Sequence, residues 1–112
     1  MITLTLMTEW QDWPLRIAEE GEVSDSYSVE EISETIPLSP NLLSNITAWD
    51  ESFQATYRPN DPKRSGFYGE KWDQFIATGR QLAHQIKQET GEAIIVEYAG
   101  DGSIPTEVIP MT

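Results

Sequence analysis

The sequence predicts an α+β fold in which a small, mostly antiparallel sheet is covered on one face by a pair of helices, in the order β-β-α-α-β-β. Residues 2–6 alternate apolar side chains with threonine, as a half-buried strand does. Residues 40–57 and 69–90 carry apolar side chains three or four positions apart, which is the period of a helix face packed on a core. Residues 93–98 form an apolar run with a glycine beyond each end, which indicates a buried strand.

The N-terminal part contains two predicted strands and an acidic segment. The first strand is residues 2–6, and the second lies around Arg16, where apolar residues alternate with the arginine before a turn at residues 19–21. Pro14 favours a strand start or a sheet edge at this point. For residues 24–35 the sequence leaves two possibilities, a loop or one short helix lying over the core.

The first of the paired helices is predicted to begin at Ser39 and Pro40. The serine can accept a hydrogen bond from an unpaired backbone N–H, and proline at the first helical position loses no needed donor. The helix is expected to stop at Arg58-Pro59, because the residue before a proline is disfavoured in helical conformation. Its apolar stripe consists of Leu42, Ile46, Trp49, Phe53 and Tyr57.

The second helix is expected to begin near Gly69, after a rigid connection at residues 58–66, and to end at Gly91 as a left-handed cap. Gly79 lies in its middle and costs about 1 kcal/mol relative to alanine. We therefore expect another backbone or a tryptophan ring to pack against Gly79. The predicted buried stripe consists of Trp72, Phe75, Ile76, Gly79, Leu82, Ala83 and Ile86.

The C-terminal part is predicted to return to the sheet. Residues 93–98 form a central strand, and Asp101-Gly102 signals a tight turn. Residues 104–109 follow as a strand, which the two prolines in and after it confine to a sheet edge.

Composition predicts one globular domain spanning residues 1–112, since the chain is 38% hydrophobic and 10% aromatic. It contains 0 cysteines, which excludes disulfides and thiolate zinc sites and favours a reducing compartment. The N-terminus is unlike a secretory signal, because no basic residue leads it and Glu9 follows the first strand directly. No apolar run has the length of a membrane span. We therefore expect a cytoplasmic protein.

Negative charge is concentrated in residues 9–34, which hold nine carboxylates against the single cation Arg16, a net −8 out of −12 for the whole chain. Such charge attracts a cationic partner and repels nucleic acid and anionic membranes. A solvated, solubilising loop is an equally weighted alternative, although the interleaved aromatic residues favour a binding surface. Trp13 is predicted to be a core anchor. The predicted partner-binding residues are Trp10, Asp12, Glu19, Glu20, Glu22, Asp25, Tyr27, Glu30 and Glu31.

The sequence offers no recognisable catalytic pattern. His84 is the only histidine, and since triads and zinc sites need several partners it is predicted to be an ordinary helical residue. Asp50 and Glu51 point about 100° apart on a helix and are predicted to form a solvated face. Lys63 and Arg64 are too few to bind nucleic acid. We therefore predict a protein that is not an enzyme and uses no metal and no cofactor.

Several motifs between residues 13 and 83 carry a resemblance to known proteins. They are Trp13-Pro14-Leu15, Leu38-Ser39 with Leu42 and Leu43, Trp49 with Phe53, Asp61-Pro62 followed by Ser65-Gly66-Phe67, and Phe75 with Gly79, Leu82 and Ala83. Their spacing resembles that of small bacterial proteins. In size, acidity and lack of cysteine the chain resembles the immunity proteins that neutralise toxins in contact-dependent inhibition and related polymorphic systems. The resemblance implies a toxin-binding function and assigns no residue as a toxin contact.

The leading hypothesis is a cytoplasmic immunity protein that binds a basic toxin, such as a nuclease, and blocks its active site with carboxylates that replace substrate phosphates. We expect a monomer or a 1:1 complex, with no nucleic acid or membrane as partner. Three alternatives stay open. A nucleic-acid mimic that inhibits a DNA-binding protein requires carboxylates spaced like phosphates, and a carboxylate hydrolase requires converging acids with perturbed pKa values. A non-catalytic accessory or scaffold protein predicts an exposed apolar patch.

Overall fold

The computed structural model describes residues 2–20 and 25–111, which form one mixed sheet and three α-helices. Two short 3-10 turns lie at Pro62–Arg64 and Gly91–Ala93. The elements in chain order are β1 Ile2–Met7, β2 Leu15–Glu19, β3 Asp25–Tyr27, α1 Val29–Thr35, α2 Pro40–Gln54, α3 Gly69–Thr90, β4 Ile95–Gly100 and β5 Glu107–Val108.

The five described strands are arranged in the order β3-β2-β1-β4-β5. β1 pairs antiparallel with β2 and parallel with β4, so that Leu4 lies between Ile17 and Val96. The β2–β3 and β4–β5 pairs are antiparallel. The side chains of Leu4, Ile17 and Val96 are buried, whereas Thr3 and Thr5 on the opposite face of β1 are partly exposed.

The predicted α+β class agrees with the structure, but the predicted element order was wrong. The structure adds β3 and α1 between β2 and α2, and the pairing at the middle of the sheet is parallel. The parallel pairing follows from the connection, since the segment with α2 and α3 carries the chain back across the sheet before β4 begins. No local sequence pattern indicates which strand pairs with β1.

Residues 25–35 form a short strand and then a helix, where the sequence left a choice between a loop and one helix. Ser28 begins α1 with a capping box, since its hydroxyl accepts from the Glu31 backbone N–H at 3.2 Å and the Glu31 carboxylate accepts from the Ser28 N–H at 3.4 Å. This Ser-x-x-Glu pattern is a recognised helix-start signal. It was present in the sequence and favours the helix.

The predicted start of α2 is confirmed, and its predicted end was too late. The Ser39 hydroxyl accepts from the Leu42 N–H, and Pro40 is the first helical residue. The helix ends at Gln54, and Tyr57 is 37% exposed instead of belonging to the buried stripe. The Thr56 hydroxyl donates to the Phe53 carbonyl at 2.6 Å, so a side chain binds a carbonyl of the last helical turn.

The helices α2 and α3 pack together through aromatic rings around Gly79. The Trp49 and Phe75 rings stack with centroids 4.7 Å apart, and the Trp49 indole N–H donates to the Phe75 carbonyl at 3.0 Å. A Cβ atom on Gly79 would lie 2.5 Å from Trp49 Cζ2 and would also collide with the Tyr98 hydroxyl. The expectation that a tryptophan ring packs on this glycine is confirmed, as is the end of α3 at Gly91, which has φ 62°.

The C-terminal segment reaches the sheet edge, as predicted, but as a shorter strand. The strand is limited to Glu107–Val108, and the Ile109 N–H beyond it still donates to the Val96 carbonyl of β4 at 2.8 Å. The predicted turn is present, with the Gly102 N–H donating to the Ala99 carbonyl at 2.9 Å. None of the helices in residues 2–20 and 25–111 combines the length and the apolar character that a membrane crossing requires.

Replacement of Trp49 by alanine tests the aromatic core. Because the ring is buried and the cavity it leaves lies between two helices and Tyr98, we expect the free energy of unfolding to fall by about 3–5 kcal/mol. Urea denaturation measures this change. The matched control is Trp13→Ala, which removes an exposed ring and should change stability by less than about 1 kcal/mol. A small loss for Trp49→Ala would contradict the core described here.

Candidate functional site

Trp13 lies at the surface, so its prediction as a core anchor was wrong. Its side chain is 52% exposed. The alternation that buries Leu15 and Ile17 does not extend back to Trp13, because β2 begins only at Leu15. Before β2 the chain passes through a turn in which Gln11 has a φ of 58°. A large exposed aromatic ring inside an acidic segment is a candidate contact for a partner.

The connection between β1 and β2, residues 8–14, is held against the C-terminal half of α2. The Trp10 ring stacks on Phe53 with centroids 4.0 Å apart. The Gln54 side chain donates to the Glu9 carbonyl at 2.7 Å and accepts from the Gln11 N–H at 3.1 Å. These contacts fix the connection on the helix and leave Trp13 outside the core.

Asp12 organises the same connection from within. Its carboxylate accepts from the Trp13 N–H at 2.8 Å, from the Ser26 hydroxyl at 2.6 Å and from the Arg16 guanidinium at 3.1 Å. Arg16 also pairs with Glu9. The Asp12 charge is therefore engaged inside the protein, and its main effect is to hold β2, β3 and the Trp13 backbone in position.

Trp13 and Asp50 lie together between two cavities of about 260 and 240 Å³. We call the surface around them the Trp13 site. The first cavity is lined also by Gln11, Asp12 and Gln54. The second is lined also by Pro14, Val29, Glu30, Thr47 and Glu51. The site therefore joins the β1–β2 connection, α1 and α2, and it combines one exposed indole with several carboxylates.

The Asp50 carboxyl is held in an environment that disfavours its charge. Burial raises its pKa above the usual 3.8, and this is the largest cause; a hydrogen bond from Gln54 lowers the pKa, while the charges of Glu51 and Asp12 raise it further. The bond from Gln54 Nε2 measures 3.3 Å. Folding thus places a carboxylate beside Trp13 against a desolvation penalty, as occurs at binding sites.

The structure brings only some of the predicted partner-binding residues together. Trp10 and Tyr27 are partly buried and pack against the core, so neither is a fully exposed anchor. Glu30 lines the Trp13 site, whereas the Glu31 carboxylate belongs to the α1 cap. Three others, Glu19, Glu20 and Asp25, are exposed near the far end of β2, and Asp12 is engaged as described. Glu22 lies outside the described residues.

The aromatic residue and two of the carboxylates of the Trp13 site were absent from the predicted set: Trp13, Asp50 and Glu51. Trp13 was predicted to be a core anchor because tryptophan is highly buried on average in folded proteins. Asp50 was predicted to be part of a solvated helix face, but it is partly buried beneath the β1–β2 connection, while Glu51 is exposed. The sequence could not show this burial, because it arises from a tertiary contact. Gln54 binds Gln11 and Glu9, which lie 43 and 45 positions earlier in the chain.

A larger cavity, of about 730 Å³, lies between α2 and α3 and is less suited to a cationic partner. Its floor contains Trp49, Phe75 and Leu82, and its polar lining is mostly uncharged. The charged group on its wall is Lys71. We therefore place the candidate site at Trp13, where the charge and the exposed aromatic ring coincide.

The described residues 2–20 and 25–111 contain no group of three or more His, Asp or Glu side chains that could hold a metal ion. His84 lies partly exposed on α3. The arrangement at Trp13 is suited to binding a cation from a partner, because it joins an indole face to carboxylates.

Comparison with known proteins identifies a family. The model of the family described as Serratia CdiI immunity protein-like matches residues 2–101. The matched region contains every element of the structure except β5. A search of curated proteins finds no match to the chain.

Replacement of Asp50 by asparagine tests whether the charge of this carboxylate lowers the free energy of unfolding. The pKa of Asp50 in the folded state is raised above 3.8, so the folded protein binds a proton more tightly than the unfolded chain. Stability therefore falls as pH rises from about 3.8 to the raised folded-state pKa. At neutral pH we expect Asp50→Asn to be at least as stable as the wild type. The difference should shrink below about pH 4, where the carboxyl is protonated in both states.

Urea denaturation at several pH values measures this difference. Asp73→Asn is the matched control, since it makes the same chemical change at an exposed position of α3. A marked loss of stability for Asp50→Asn at neutral pH, with no such loss for Asp73→Asn, would contradict this account of Asp50.

Proposed function

Because this chain belongs to the Serratia CdiI immunity protein-like family, we propose that it is a cytoplasmic inhibitor that binds one copy of a basic toxin domain through the Trp13 site. The observation that carries the proposal is the exposed Trp13 ring beside the partly buried Asp50 carboxylate. Immunity against a toxin of contact-dependent inhibition is the function of the family. The basic character of the toxin, the 1:1 stoichiometry and the location of the interface are our proposal.

The composition of the Trp13 site supports this assignment. Binding hot spots are enriched in tryptophan, and they lie where the surface is shaped to exclude water from the contact. Trp13 is one of five large hydrophobic side chains exposed in the described structure, and among these it alone lies in the acidic segment 9–34. Glu30 and Glu51 line the cavity on one side of it. A partner that covers this ring therefore meets carboxylates at the same time.

The charge of the whole chain supports a basic partner. The net charge is −12, with 19 acidic residues against 7 basic ones. Complementary charge raises association rates from about 10⁵–10⁶ to 10⁸–10⁹ M⁻¹s⁻¹ at low salt. The exposed carboxylates of Glu19, Glu20 and Asp25 lie away from the Trp13 site and fit this steering function. Fast capture suits an inhibitor that must bind its toxin before the toxin acts.

We propose that the toxin is a nuclease and that this protein neutralises it by occupying the cationic groups that bind the substrate. Nucleases bind phosphates with cationic side chains, and the carboxylates of this protein can occupy the same groups. A bound partner of charge −12 also repels the polyanionic substrate. In this proposal the chain catalyses no reaction and needs no cofactor, since binding alone prevents substrate access.

Association kinetics with the cognate toxin domain test the proposal. We expect the association rate to fall at least about tenfold between low and physiological ionic strength, with a much smaller change in dissociation. Neutralising the remote carboxylates in Glu19→Gln and Glu20→Gln should lower the association rate, whereas Trp13→Ala should raise the dissociation rate. Stopped-flow mixing measures both. A rate of association that does not depend on salt would contradict electrostatic capture.

A further inference from the structure

We propose that the Trp13 site receives an arginine side chain of the toxin, with the guanidinium plane stacked on the Trp13 indole and its N–H groups donating to Asp50. This inference rests on the proposed function, because it names the group of the basic partner that the site binds. It assigns a hot-spot role to Trp13 and Asp50 and a chemical identity to the group they hold.

The backbone that carries Trp13 is fixed within the fold. The backbone on its N-terminal side is held by the Asp12 carboxylate, which accepts from the Trp13 N–H at 2.8 Å. On its C-terminal side Pro14 is buried, and the Pro14 carbonyl accepts from the Met7 N–H at 3.0 Å. The ring itself is 52% exposed and borders both cavities. Because this backbone is already fixed, a partner that covers the ring does not have to order the segment that carries it.

The Asp50 carboxylate has unused hydrogen-bonding capacity. An ionised carboxylate offers about four acceptor positions, and the described structure gives Asp50 one hydrogen bond, from Gln54 at 3.3 Å. The neighbouring Asp12 carboxylate accepts three bonds from the protein. Of these two carboxylates at the Trp13 site, Asp12 is therefore satisfied within the fold and Asp50 is open to a donor from outside.

Within the described residues, the one cation paired with a carboxylate of the Trp13 site is Arg16, which binds Asp12, and none is paired with Asp50, Glu51 or Glu30. Within the part of the chain that the structure describes, the ion pairs to acidic side chains use Arg16, Arg64 and Arg80. None of these pairs includes Asp50, Glu51 or Glu30, so no described cation lies within 4.0 Å of these carboxylates. A bound partner can therefore supply a cation to these three carboxylates.

Arginine fits this combination better than lysine does. A guanidinium is planar and weakly hydrated, so it can stack flat on an indole while its edge donates to a carboxylate beside the ring. A lysine ammonium is a strongly hydrated point charge and cannot do both in one plane. Trp13 and Asp50 together line two cavities of about 260 and 240 Å³, which leaves room for an arginine side chain beside both.

Binding of the cognate toxin domain to four single variants tests the inference. We expect Trp13→Ala and Asp50→Asn each to raise Kd by about 30-fold or more, the range of a hot spot. The Kd of the double variant should rise by less than the product of the two single increases, because both residues bind the same guanidinium. Tyr68→Ala and Asp73→Asn are the matched controls at an exposed aromatic and an exposed helical aspartate, and each should leave Kd within about threefold of wild type.

A lysine scan of the toxin's surface arginines identifies the partner residue. One arginine-to-lysine change should weaken binding to the wild-type chain and have little further effect on Trp13→Ala. Thermal unfolding of each variant confirms that it is folded, since both target side chains lie outside the core. If no arginine behaves in this way, the arginine assignment fails even where Trp13→Ala loses affinity.

The same measurements separate this inference from the proposed function. If wild-type protein binds the toxin tightly with strong salt dependence while Trp13→Ala and Asp50→Asn bind equally well, the arginine site is wrong and another acidic surface binds the toxin. If wild-type protein does not bind the toxin domain at all, the proposed function itself fails.

Discussion

The contact between the β1–β2 connection and the C-terminal half of α2 is the interaction on which the candidate site depends. Trp10 stacks on Phe53 there, and Gln54 binds the backbone on both sides of Trp10. One tryptophan of the connection is thereby joined to the core, and Trp13, three residues later, is left exposed. The same contact places the connection over Asp50 and partly buries its carboxylate. A single tertiary contact thus produces the exposed ring and the desolvated charge together.

The acidic residues of the chain divide into those that the fold uses and those that it leaves open. Asp12 and Glu31 bind donors of the protein itself, the first across β2 and β3 and the second at the start of α1. Glu107 similarly pairs with Arg80 across α3 and β5. Within the described residues, Asp50, Glu51 and Glu30 have no such cation within 4.0 Å. The net charge alone therefore does not locate a binding surface; at the candidate site, unpaired carboxylates coincide with an exposed indole.

Much of the fold could be predicted because its signals are local. Ser39-Pro40 identified the start of α2, and Gly79 indicated the close approach of a tryptophan ring. The parallel pairing of β1 with β4 could not be predicted, since strands more than 80 residues apart in the chain leave no local pattern. The exposure of Trp13 was also not predicted, because it depends on where β2 begins and on how the preceding connection is held by Gln54. The resemblance to immunity proteins is confirmed by the family match, although the motifs behind it are mainly caps, turns and core positions.

The most direct test of the central claim is an NMR map of the toxin-bound surface, recorded on the labelled chain with and without unlabelled toxin domain. Our account predicts that the signals of the Trp13 indole N–H and of the amides of residues 11–13 and 47–54 lose intensity through cross-saturation from the toxin. It predicts little effect at Tyr68 or along the groove between α2 and α3. Cross-saturation confined to that groove, with the Trp13 indole unaffected, would contradict the claim that the connection held by Trp10 and Gln54 exists to present Trp13 and Asp50 to the toxin.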